Sequence, residues 1–294
     1  MSGYPGAPVR ARETATVRGT RNLSRAFPAL IIGEILAIAF GYETFVSAPY
    51  LDQIVNQTTG EVNNTALPKV TGFFAAACGL LFVFLIGLIL ALLGLWAMYK
   101  GRSEYGGEHE KNVNKAALLI AVAIVLFILS LAVILALSIA TSGGLAEGTT
   151  KTAPPSPTAQ ALSAVISVAF AITISFLLYL LVKSFLPPEK HDTMVLGIGL
   201  FIMAPIANWV ASSLASPPAD YFSHPESVPF NPVWLVPAAV GAVFNVLAMV
   251  VFFMVYYRIY ERLKKGEIKP IWETMKPPGP LHYQEVRWQP PPRP

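Results

Sequence analysis

The chain is poor in charge, poor in cysteine and free of catalytic signatures. Of its 294 residues only 13% are charged, while 54% are hydrophobic. A soluble domain carries about 25% charged residues. Half that amount excludes an ordinary water-facing surface and leaves the membrane class. Mean hydropathy, at +0.55, agrees. The single cysteine, Cys78, excludes an internal disulfide and any CxxC or Cys/His metal spacing. It lies in an apolar run, where a lone cysteine usually packs as a small hydrophobe. The sequence has no H-E-x-x-H, no G-x-S-x-G, no Walker loop, no GxGxxG after a strand and no paired intramembrane aspartates. No catalytic residue, metal or cofactor is expected, and an enzyme is the weakest functional class. The net charge of +4 and pI near 9.1 do not point to nucleic acid, because the basic residues follow topology.

What is present is a series of six long apolar segments, at about 26–48, 70–99, 116–141, 159–186, 193–215 and 233–260. Each meets the roughly 20 residues that a helical span requires. The expected fold is all-α, an integral membrane bundle of six transmembrane helices. Its membrane domain covers 26–263. A basic N-terminal arm, 1–25, is expected to be disordered or to lie on the surface, and a Pro-rich tail covers 264–294. The first apolar run is read as a retained span rather than a removed signal. Lys and Arg favour the cytoplasmic side. Residues 1–25, 100–115, 183–192 and 258–294 hold 19 of the 21 basic residues, against Lys69 and Lys151 on the other side. Both termini are therefore expected in the cytoplasm, in a cell membrane. Asn56 and Asn63 begin N-x-[ST] sequons in the first outside loop and are candidate glycosylation sites there.

Small residues mark where helices approach closely in lipid. The first helix offers Gly33, Ala37 and Gly41. The second offers Gly72, Gly79, Gly87, Gly94 and Gly101, a near-seven-residue stripe on one face. The fourth carries Ser163, Ser167, Ala171 and Ser175. Pro205 is expected to kink the fifth helix by leaving the Phe201 carbonyl without a donor.

Four polar side chains lie deep: Glu34, Glu43, Asn208 and Asn245. An intramembrane acid marks a functional site by default. Glu34 and Glu43, nine residues apart, point to opposite faces and cannot act as a pair. Glu43 is placed near the outer headgroups, within reach of water. Glu34 borders the Gly33/Ala37/Gly41 seam and is expected to point inward. It would bind a proton or cation, or serve structurally as a protonated acid bonded to Asn, Ser or backbone. Asn245 and Asn208 are expected at successively more outward depths, forming a polar ladder if the first, fifth and sixth helices touch. Asp220, His224 and Glu226 match no metal motif and read as a solvated loop. Tyr256, Tyr257 and Tyr260 with Arg258 and Arg262 read as an interfacial anchor. Ile268, Ile271, Trp272 and Met275 would let the next segment lie on the membrane surface.

The run LIGLILALLGLWAMYKG at 85–101, with the charged loop and third helix that follow, resembles uncharacterised archaeal multi-pass membrane proteins. Those families imply no activity and no site residues. Two function classes follow from the residues. The slightly favoured one is a structural or accessory subunit of a membrane complex, whose partners are lipids and other membrane subunits. The alternative is a small transporter or channel-like permease using Glu34 with Asn208 and Asn245.

Overall fold

The computed structural model describes residues 13–51, 67–141, 157–215 and 230–274. It is all-helical, with no strand among these residues. Six helices are long and apolar enough to cross a membrane. They are α1 (Ala15–Leu51), α2 (Leu67–Lys100), α3 (Gly107–Thr141), α4 (Pro157–Val182), α5 (Pro188–Leu214) and α6 (Val236–Lys264), with a short α7 (Ile271–Thr274) after them. The two sequons, the Asp220/His224/Glu226 loop and the Pro-rich end of the tail lie outside the described residues.

The helices form an arc in the spatial order α3–α4–α5–α6–α1–α2. Consecutive helices α2 and α3 stand at its two ends and scarcely touch beyond their connecting turn. The basic ends of all six helices lie together. Thr14 meets Tyr105, His109 meets Ser184, and Arg262 meets the Phe185 carbonyl. The densest core is also at this end. Phe27 of α1 packs on Phe252 and Tyr256 of α6, and the buried Tyr256 hydroxyl donates to the Leu178 carbonyl at 2.7 Å.

α1 begins eleven residues before the expected boundary, so residues 15–25 are neither disordered nor a surface arm. Polar composition there does not mean solvation. Thr20 and Ser24 turn their hydroxyls back onto the Thr16 and Arg21 carbonyls, which satisfies them without water. Thr14 caps the helix by accepting from the Val17 amide. Glu104, reaching over from the α2–α3 turn, accepts from the Ala15 and Thr16 amides at 2.9 Å each. Its negative charge sits at the positive end of the α1 dipole. α3 likewise starts earlier than expected, at Gly107, because 107–115 is charged but helical.

The start of the tail is also organised. Gly266, at φ +73°, turns the chain out of α6 through a left-handed conformation that favours glycine. The chain then returns to the α2–α3 turn, where the Ile271 amide donates to the Glu104 carbonyl at 2.9 Å. Pro270 is buried there, while Trp272 stays exposed and Met275 lies outside the described residues.

The α1–α2 pair is built on the glycine stripe. A Cβ on Gly101 would meet Thr16, on Gly94 would meet Leu23, and on Gly87 would meet Leu30. The antiparallel helices thus pair seven residues by seven. Gly79 does not belong to this seam and has nothing within 4 Å. The eight-residue step from Gly87 to Gly79 turns the stripe by about 80°, against about 20° for each seven-residue step. Gly72 instead makes room for the Glu43 carboxylate. Glu43 is therefore half-buried against α2 rather than directed to the headgroups. Because the Leu23 backbone lies 3.0 Å from an added Cβ, Gly94→Val is expected to cost about 1–3 kcal/mol. Gly79→Val should stay within about 0.5 kcal/mol of the parent. Unfolding midpoints of the two variants in detergent check this.

Candidate functional site

α1 presents a second seven-residue stripe, Phe27, Glu34 and Gly41, toward α6. Phe27 meets Phe252 and Tyr256, Glu34 meets Asn245, and a Cβ added to Gly41 would lie 3.9 Å from Leu235, just ahead of α6. The three small residues of α1 do not form one seam. Gly33 faces Phe84 of α2, Ala37 faces a cavity, and Gly41 faces the start of α6.

The Asn245 amide nitrogen donates to Glu34 Oε1 at 3.2 Å. This bond joins the first and last spanning helices across 211 residues of chain. It also places the two side chains at one level, not at the separate depths expected from residue counting. α1 and α5 both pack on α6, and Asn208 enters from α5. Gly241 lets it approach: an added Cβ there would lie 3.1 Å from Asn208 Cβ and 3.6 Å from the Ala204 carbonyl.

Glu34, Asn208 and Asn245 line a single cavity of about 470 Å³, framed by α1, α4, α5 and α6. That volume is in the range of small-ligand sites. Ser167 and Ala171, from the small-residue face of α4, form part of the wall. Phe201 and Pro205 form another part, so the proline inside the continuous helix α5 falls at the cavity. The exposed members of the lining, Asn208 and Ala238, lie on the far side of Glu34 from the basic end. Ala171 and Met249, on the side nearer the basic end, are buried.

The chemistry available is that of one carboxyl group, two carboxamides and the Ser167 hydroxyl in otherwise apolar walls. A lone carboxyl with amide neighbours suits a proton or a monovalent cation. It does not suit Ca²⁺, which takes 6–8 oxygen ligands with several carboxylates among them. Among the described residues no group of three or more His, Cys, Asp or Glu could hold a metal ion.

Residue counting alone did not single out the buried polar layer at the basic end. There His109 Nδ1 pairs with Ser184 Oγ at 3.1 Å, and His109 rings against Tyr105 and Phe185. Its signal in the sequence is a histidine among charged residues, which reads as solvent-facing. Burial by the 183–185 turn reverses that. Tyr105, just outside the spans, has its hydroxyl pKa pushed up by burial, with the Thr14 bond acting in the opposite sense.

Asn245→Ala removes one interhelical bond and is expected to cost about 0.6 kcal/mol, the usual size for such a bond in a membrane protein. Gly241→Val, which drives into Asn208, should cost about 1–3 kcal/mol. Unfolding in mixed micelles would distinguish the two. Comparison of the chain with protein-family models, curated proteins and solved structures finds no match to any of them.

Proposed function

We propose that this multi-pass membrane protein is a small permease in which Glu34 binds and releases a proton or monovalent cation. The observation that carries the reading is the cavity that brings Glu34, Asn245 and Asn208 together from three helices. Hydrogen bonding alone would not favour transport, since a structural acid would make the same bond to Asn245. A wholly structural pair, however, gains nothing from a cavity beside it or from an exposed carboxamide at the cavity's outer side. α5 runs unbroken through Pro205, which removes one backbone donor at the level of the cavity. In this reading the basic end faces the cytoplasm, as the positive-inside tendency requires, and the cavity opens outward.

The subunit reading remains a second one, favoured by α2. It is the most apolar of the six helices, with a mean hydropathy of 2.9, and it packs along α1 alone. Its outer face carries Leu81, Phe82, Leu85 and Trp96, all well exposed. Lipids suffice to cover that face, and another membrane subunit would cover it equally.

Purified protein in vesicles loaded with a pH-sensitive dye, and in parallel with dyes sensitive to sodium and potassium, decides between the two. Under an imposed potential, the parent should carry protons or a monovalent cation well above empty vesicles. Glu34→Gln should lower that flux at least tenfold and leave the unfolding midpoint nearly unchanged. Parent flux equal to that of empty vesicles would end the permease reading. Orientation is checked separately in a Cys78→Ser background, since Cys78 is free and exposed. Lys111→Cys should resist an impermeant maleimide added outside cells and react after permeabilisation.

A further inference from the structure

A second concavity, of about 570 Å³, lies at the basic end between the first turns of α5 and the last turns of α6. Its floor is apolar, formed by Leu186, Phe253 and Met254 among others, and it lies on the outside of the arc. Its rim is cationic. Lys190 of α5 and Arg258 of α6 both line it.

The charges around it have separate fates. Arg262 donates to the Phe185 carbonyl at 3.1 Å and pairs with Glu267 at 3.2 Å, so it is engaged. Lys265 lies 4.0 Å from Glu261, the only acid in the lining. Glu189 and Asp192 flank Lys190 in sequence but do not line the groove. Lys190 and Arg258 have no ion pair among the described residues. Two free cations thus stand over an apolar trough whose lower wall, at Met254, is half exposed.

A free anion would use the cations and leave the trough empty. An uncharged hydrocarbon would use the trough and ignore the cations. Only an amphiphile with a negative head satisfies both, and basic pockets between spans recognise such headgroups. We propose that this groove is a binding site for an anionic phospholipid. Its phosphate lies between Lys190 and Arg258, and one acyl chain runs along Phe253 and Met254. The site is distinct from the Glu34 cavity and does not depend on a transport function.

The test uses the full chain in nanodiscs of phosphatidylcholine containing a minority of phosphatidylglycerol. Lipid retained after mild detergent extraction is counted by mass spectrometry. The parent should retain phosphatidylglycerol in excess of its share of the bilayer. Arg258→Gln should lower that retention about fivefold, and Lys190→Gln with Arg258→Gln roughly 25-fold, from about 1 kcal/mol per cation near an anionic surface. Lys111→Gln with Lys115→Gln removes two exposed cations at the same end, away from the groove, and should change nothing. Retention of phosphatidylglycerol at no more than its share of the bilayer overturns the proposal. So does a control variant that loses as much as the groove variant, because the basic surface as a whole would then account for the retention. Displacement of the lipid by excess inorganic phosphate alone would assign the rim to a free anion and also overturn it.

Discussion

Everything in this fold depends on α1 being held on two faces at once. One face meets the glycines of α2, where backbones come close enough for dispersion to act between them. The other meets α6 through Phe27, Glu34 and Gly41. In hydrocarbon there is no hydrophobic force between helices, so association must come from such close packing and from interhelical hydrogen bonds. Both contributions converge on one helix. With α1 fixed between α2 and α6, the rest of the arc follows by pairwise packing. The cavity is the space left where four helices curve round a carboxyl group.

The two ends of the molecule are built on different principles. The basic end is closed by many small satisfactions: Glu104 on the α1 amides, Tyr256 on the Leu178 carbonyl, Arg262 on the Phe185 carbonyl. Water is largely excluded from these contacts, which strengthens each of them. The opposite half is looser, with small residues and carboxamides around an opening. Rigidity below and space above suit a site entered from one side.

The sequence was most readable where one physical rule acts alone. Span number follows from hydropathy, and all six apolar runs became helices. The seven-residue glycine period on α2 identifies its contact face at Gly87, Gly94 and Gly101. The eight-residue step that removes Gly79 from that face is legible in the same spacing. Less readable were the features that need a partner to be seen. Residues 15–25 look solvated because their hydroxyls are satisfied internally and their N-terminal amides by Glu104. His109 and Glu43 look exposed because the groups that bury them come from elsewhere in the chain. Glu34, Asn208 and Asn245 stood out by their polarity, but their convergence depends on which helices touch, and no local pattern states that.

The Glu34–Asn245 bond has a consequence for how the protein is made. The acid is synthesised 211 residues ahead of its carboxamide. At roughly 5–20 residues per second, the ribosome takes about 10 to 40 s to cover that distance. For that interval the first helix stands in the bilayer with an unmatched acid. Intramembrane acids on isolated helices are costly, and α1 can offset this one only with its own Ala, Ile and Leu and with early pairing to α2. The glycine seam therefore has an early role as well as a late one. It anchors a reluctant helix until the last span arrives to take up its carboxyl group.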